Sequence, residues 1–292
     1  MGSVRTYTDL DVAVRSDTSE VGEGPVFDPR TGRLVWVDIY GGTVYEDDLA
    51  TGRQTVTEVG VMVGAVAPRA HDDGFAAAVA GGFGFLVDGV TTVVDPVLPE
   101  PNLRMNDGKV DARGRFWAGS NDMRFAPGQG RLHRWDADAP SVVVADGLVL
   151  PNGLGWNADN TVMYLADSYA RLLYRSAFDA DSGELGGLEV LTKTEGSGVP
   201  DGLAVDVDGC FWTAMHGGAE VRRYDPAGRV IGRVPVPVPQ PTSCAFGADG
   251  RLYVTSAREG LSAEDLERSP LSGSVFVVAT DTRGVPVAAF RG

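Results

Sequence analysis

The sequence predicts an all-β fold: a six-bladed β-propeller in which the whole chain, residues 1–292, forms one domain. Three observations predict it. Short strand-like runs begin after a Gly- or Asn-containing turn six times, with turn residues at Gly32, Gly74, Gly114, Asn160, Gly209 and Gly250. Their spacing of 40 to 49 residues, with several short strands per period, is the pattern of propeller blades. Each period divides again into alternating apolar and polar runs split by Gly, Asp and Asn, which is hairpin patterning.

The units follow in order. The turn-and-strand phrases are "TGRLVWVDI" at 31–39, "DGFAAAVAG" at 73–81, "RGRFWAGS" at 113–120, "DNTVMYLADS" at 159–168, "DGCFWTAM" at 208–215 and "DGRLYVTSA" at 249–257. In the first unit the strand leads through a turn into "GTVYEDDLATG", and in the fifth into "AEVRRYDPAG". The stretch "VPVPVPQP" at 234–241 lies inside the repeat and reads as a connection into the sixth unit, not a domain boundary. Helical periodicity is nearly absent, with "LSAEDLERSP" the best candidate for a helical turn. The leftover N-terminal stretch "YTDLDVAVRS" reads as a strand. It is expected to complete the last blade beside "VPVAAF" near the C-terminus, closing the ring without exposed sheet edges. Trp36, Trp117 and Trp212 recur on blade strands and are expected in the core.

Composition narrows the function. A formal net charge of −15 argues against nucleic acid and anionic membrane as partners, since both need a basic face. No apolar run approaches membrane-spanning length, and the N-terminal stretch lacks a signal-peptide core. Two cysteines, Cys210 and Cys244, are too few for a disulfide framework and are expected to be buried thiols. A soluble cytoplasmic protein, a monomer or small homo-oligomer, is the expectation.

One phrase recurs with a telling substitution. "LPNGLGWNADN" at 150–160 and "VPDGLAVDVDG" at 199–209 place Asn152 and Asp201 in the same slot, eight residues before the turn residue. The same count gives Val66, Asn106 and Thr242 in other units, and Glu23, nine residues before Gly32, in the first. In a propeller the innermost strand of every blade borders the central channel, so equivalent positions converge on one axis. Asn152 or Asp201 alone would read as a turn-capping residue. Glu23, Asn152 and Asp201 together supply only oxygen. The converging set, with Asn106, puts two carboxylates and two amides face to face, which need something positive between them. Such a set suits one divalent metal ion in the central channel: Ca²⁺, Mg²⁺ or Mn²⁺, with Zn²⁺ or Fe²⁺ also tolerated. Arg104 sits two residues before Asn106, on the same side of its strand, and can reach over the ion. The three histidines fall at His71, His133 and His216. No G-x-S-x-G elbow, phosphate-binding loop or dinucleotide fingerprint is present.

"GEGPVFD" at 22–28, "RMNDGKVDARGRFWAGS" at 104–120, "PNGLGWNAD" at 151–159, "PDGLAVDVDGCFW" at 200–212 and "PTSCAFGADGRLYVTSAREGL" at 241–261 together resemble the gluconolactonase–regucalcin–luciferin-regenerating-enzyme family, in order over essentially the whole chain. The resemblance implies a six-bladed propeller with one divalent metal in its channel, and hydrolysis of sugar lactones. It implies Glu23, Asn152 and Asp201 as metal ligands, Asp201 also as general base, and Arg104 and Asn106 as substrate contacts. Two departures stand out. Ungapped counting puts Arg124 where mammalian members carry a substrate-contacting glutamate, and His216 where they tend to have Asn. If Arg104, Arg124 and His216 line one mouth, acidic or polar-substituted lactones should compete well with gluconolactone. Two alternatives remain open: hydrolysis of another ester, such as a natural-product lactone or an organophosphate, and a calcium-binding regulatory protein without turnover.

Overall fold

The fold is given by a computed structural model that describes residues 4–292. Six antiparallel sheets, each built around four strands, form six blades. Their first strands are Gly22–Phe27, Val63–Pro68, Leu103–Val110, Pro151–Trp156, Val199–Val205 and Pro241–Phe246. Each first strand packs against the next, and the sixth against the first, so these six surround the axis. The ring is a six-bladed propeller, as the repeat predicts.

The turn chemistry explains the repeat. Gly32, Gly74, Gly114, Asn160, Gly209 and Gly250 all hold positive φ, between 53° and 79°. Only Gly, or Asn at small cost, adopts this readily. An Asx side chain at the start of most of these turns accepts from backbone N–H groups beyond it. Asp206 Oδ1, for example, takes Asp208 N and Cys210 N, both at 3.0 Å. The other oxygens of Asp111 and Asp206 accept from the indole Nε1 of Trp117 and Trp212, each at 2.9 Å. The three tryptophans are fully buried, as expected. Asp–Trp pairs of this kind tie a polar turn to the apolar layer between blades without leaving the indole N–H unpaired.

Closure differs from expectation in one respect. Leu10–Val14 does complete the sixth blade, but it pairs with Val275–Val278, not with "VPVAAF". The "VPVAAF" segment carries Pro286, which cannot donate to a ladder. It runs instead beneath the ring. Val285 N donates to Val205 O, and Phe290 N to Pro68 O. The buried Phe290 ring stacks on Trp135 at 4.6 Å. Arg5–Thr6 adds in parallel to Val230–Pro235 of the fifth blade, so the N-terminal strand stitches two blades together. Tyr7 between them donates to Asp281 Oδ1 at 2.6 Å and packs on Trp212.

Among the described residues one short helix, Ala263–Arg268, falls within "LSAEDLERSP", and Ser262 and Asp265 form its capping box. Among the described residues no helix is long and apolar enough to cross a membrane. Cys210 and Cys244 are buried and free. The channel has two unlike ends. The ends of the first strands, with Val285, Pro286 and Val287 across them, enclose a mainly apolar cavity of about 310 Å³. The starts of the first strands form the polar end.

Candidate functional site

A β-bulge in each first strand builds the polar end. In all six blades the pairing with the second strand slips, between Glu23 and Val26, Val63 and Ala65, Met105 and Gly108, Pro151 and Leu154, Pro200 and Leu203, and Pro241 and Cys244. Asn106, Asn152, Asp201 and Thr242 are each the first of the two unpaired residues of their bulges, released from the ladder and turned toward the axis. The glycines that follow two of them serve close approach. A Cβ on Gly153 would meet Leu203 N at 2.2 Å, and one on Gly202 would meet Ser243 Oγ at 1.9 Å. This is why the phrase reads Asn-Gly and Asp-Gly.

The second blade corrects the register. The first paired residue after the bulge stands six residues before the turn residue in five blades, as Leu203 does before Gly209. In the second blade it is Ala65, nine residues before Gly74, because the turn "PRAHDDG" is longer. Val66 therefore does not reach the axis. It pairs with Ala77 and packs with Val26, Val35, Val37 and Ile39.

Glu23, Arg104, Asn106, Asn152, Asp201 and Thr242 line one cavity of about 70 Å³, and His216 joins its wall. Asn152 Nδ2 donates to Ser168 Oγ at 3.1 Å, which fixes the amide with its oxygen free. Asn152 Oδ1 and Asp201 Oδ1 are buried with no hydrogen-bond partner. Glu23 Oε2 accepts only from its neighbour Gly24 N, at 2.7 Å. Two orphaned acceptors, one amide and one carboxylate, beside a second buried carboxylate fit a cation that takes oxygen ligands. Among the described residues no three His, Cys, Asp or Glu side chains cluster as a metal site; the converging set is two carboxylates and an amide.

The electrostatics agree. Burial, then the Asp201 and Asp107 carboxylates, push the Glu23 carboxyl well above its usual range. Burial, then Asp107, do the same to Asp201. Asp107 follows Asn106 where Gly follows Asn152 and Asp201, and burial raises it too. Below it Lys109 Nζ donates to Leu203 O at 2.6 Å, with burial lowering its pKa. Three carboxylates and two cations, Arg104 and Lys109, thus share the axis.

Arg104 is buried, with Nη1 donating to Asn106 Oδ1 at 2.7 Å and to Met105 O at 3.0 Å. Asn106 Nδ2 donates to Pro151 O at 3.0 Å. Arg104 Nε is buried without a partner, leaving a donor for a ligand. Arg124 is not brought to the cavity. It is exposed, and the next residue, Phe125, lines the wall instead. Burial lowers the pKa of His216, so at neutral pH the ring is uncharged. Glu259 adds an acidic group to the same wall. The three-cation mouth expected from counting does not form, and with it goes the physical basis for a preference for acidic lactones.

Tyr40, Phe125, Ser168, Tyr169 and Glu259 also line the cavity and were not singled out in the sequence. They share a signal. Each lies just beyond the second strand of its blade, where the first hairpin opens at the polar end. His216, the last residue of its second strand, belongs to the same ring.

Fold and site together define a six-bladed propeller with an oxygen-lined axial pocket. The chain belongs to the SMP-30/gluconolactonase/LRE-like family, whose characteristic region matches residues 21–258. It is 35% identical to regucalcin of Danio rerio over 288 residues, 96% of this chain and 97% of that one. It is also 35% identical to 6-deoxy-6-sulfogluconolactonase of Pseudomonas putida over 282 residues, 94% and 96% of the two chains. The crystal structure of regucalcin from Agrobacterium tumefaciens, described as a calcium-binding protein, superposes with a TM-score of 0.92 at 30% identity, covering 99% of this chain and 100% of that one.

Proposed function

We propose that this protein is a lactonase that opens the ring of a sugar lactone with the help of one divalent metal ion held by Glu23, Asn152 and Asp201. The observation that carries the reading is the pair of buried, unpartnered oxygens, Asn152 Oδ1 and Asp201 Oδ1, facing the cavity beside the buried Glu23. In this reading the whole chain is one domain. It acts in the cytoplasm on a small molecule, alone or as a small homo-oligomer. Relatives named as sugar lactonases support the substrate class.

The bound ion would supply Lewis-acid polarisation of the lactone carbonyl and lower the pKa of water. The protein's groups do the rest. Asp201 takes a proton from the attacking water as its oxygen bonds to the carbonyl carbon. The bond from that carbon to the ring oxygen then breaks, and Asp201 returns the proton to the departing alkoxide. The product is the open hydroxy acid. Arg104 Nε and the remaining guanidinium N–H groups face the developing negative charge, and Asn106 holds the guanidinium in place. Neutral His216 offers one donor and one acceptor to ring hydroxyls.

The test is hydrolysis of a panel of aldonolactones by protein stripped of metal and then reconstituted with Ca²⁺, Mg²⁺, Mn²⁺ or Zn²⁺. Turnover that requires the ion supports the reading. Binding of the ion with no turnover of any lactone or other ester would favour a calcium-binding protein without catalysis, the reading that the description of the Agrobacterium regucalcin suggests.

A further inference from the structure

Two aromatic rings stand over the cavity at a cost that the fold does not recover. Phe125, on the loop between the second and third strands of the third blade, has φ +57°, a left-handed conformation that is strained for a bulky residue. Gly128, three residues on, also holds a positive φ, but as a glycine it does so freely. Tyr169, in the equivalent hairpin of the fourth blade, is 52% exposed. The two ring centroids lie 4.6 Å apart at 59°, so the pair bridges two blades. Neither ring joins any of the apolar clusters of the core. Both line the cavity.

The opposite rim is polar. It carries Tyr40, with the Arg104 guanidinium 5.8 Å from its ring centre, together with His216 and Glu259. Above the oxygen-lined floor the mouth therefore has an aromatic side, the rings of Phe125 and Tyr169 from the third and fourth blades, and a hydrogen-bonding side from the first, fifth and sixth. The cavity, about 70 Å³, is too small to hold more than the reacting part of a sugar lactone, so the rest of the ring must lie between these two sides.

Building on the lactonase reading, we propose that Phe125 and Tyr169 form a subsite for an apolar exocyclic carbon, and that the substrate class is the 6-deoxy sugar lactones. A methyl group packs against the two rings while the ring hydroxyls face Tyr40, His216 and Glu259. A hydroxymethyl in its place would press a hydroxyl against the two ring faces, at a desolvation cost that a methyl does not carry. One group of this size in an apolar pocket is worth 10- to 200-fold in discrimination, about as much as such a pocket can supply.

The matched pair is L-rhamnonolactone and L-mannonolactone, which differ only in the hydroxyl on carbon 6. The metal-loaded protein should show kcat/KM at least about tenfold higher for the rhamnonolactone. Phe125→Asn, which tolerates the left-handed backbone, and Tyr169→Ser should each bring that ratio toward one with little change in melting temperature. The corresponding non-hydrolysable lactams, titrated calorimetrically, should show the same preference in Kd and the same loss in the variants. If both lactones are hydrolysed with equal kcat/KM and both lactams bind equally, the subsite is refuted while the lactonase reading stands. If no lactone is hydrolysed at all, the lactonase reading falls and the subsite falls with it.

Discussion

Replacing Asp201 by Asn should move catalysis and stability in opposite directions. The side chain is buried, and the substitution keeps its shape and the oxygen that has no partner. What it removes is a negative charge and a base. Loss of a general base lowers kcat by roughly 10²–10⁴. Metal affinity should fall less, because Glu23 and Asn152 remain. Stability without metal should rise. Glu23 and Asp107 both sense the same acidic axis, and unit charges ~7 Å apart in an effective dielectric of ~20 repel by ~2 kcal/mol. At ~2–4 °C per kcal/mol, the metal-free variant should melt roughly 5 °C above the metal-free wild type at pH 8. The pH dependence has a defined sign. A carboxyl whose folded pKa stands above its unfolded value of about 4 binds more protons folded than unfolded. Metal-free wild type therefore loses stability as pH rises from about 4 through the raised pKa values of Glu23 and Asp201, and Asp201→Asn should flatten that fall. Lactone turnover, elemental analysis and melting curves in chelator at pH 5 and pH 8 read all three quantities. Near wild-type turnover, or a metal-free variant that melts lower than wild type at pH 8, would refute the reasoning.

Chelation should abolish hydrolysis and a divalent ion restore it; full activity in protein shown by elemental analysis to be metal-free would end the metal assignment. An ion at 100 times its Kd should also stabilise by ~2.7 kcal/mol, visible as a melting shift of roughly 5–10 °C. Arg124→Ala should leave kcat/KM within about twofold on a matched neutral and acidic lactone pair, since exposed loop arginines contribute little to a site they do not face; a selective loss on the acidic lactone would return Arg124 to the mouth. Tyr7→Phe removes the hydrogen bond to Asp281 that locks the N-terminal strand, and should cost about 1 kcal/mol in denaturant unfolding without touching turnover.

The ring was legible because its signals are local. Six left-handed turn residues must be Gly or Asn, and the count back from them reaches Asn106, Asn152, Asp201 and Thr242 correctly. The count failed at Val66 because it measured turn length, while the bulge sets the register, and "PRAHDDG" is three residues longer. Arg124 was misplaced by one residue for a related reason. Its loop does not continue the strand, so alternation no longer tells which side chain faces inward, and the left-handed φ at Phe125 turns that ring to the cavity. Tyr40, Tyr169 and Glu259 were not found because each comes from the far end of a second strand. Their convergence depends on blade geometry, not on any shared phrase. The pairing partner of the N-terminal strand was missed because "VPVAAF" and "SVFVV" look equally strand-like, and only the missing N–H of Pro286 separates them.

The pairing of Leu10–Val14 with Val275–Val278 also sets the order of events during synthesis. Leu10–Val14 precedes the whole ring in the chain yet belongs to the last blade, and it must wait while more than 250 residues are made before its partner. At 5–20 residues per second that is roughly 15–50 s in which Leu10–Val14 has no partner strand. Glu23 belongs to the blade made first and Asp201 to the blade made fifth. They face each other only once the circle shuts. A chain released before the sixth blade is complete keeps both carboxylates but never the geometry between them, so ion capture would report that translation had run to the seam.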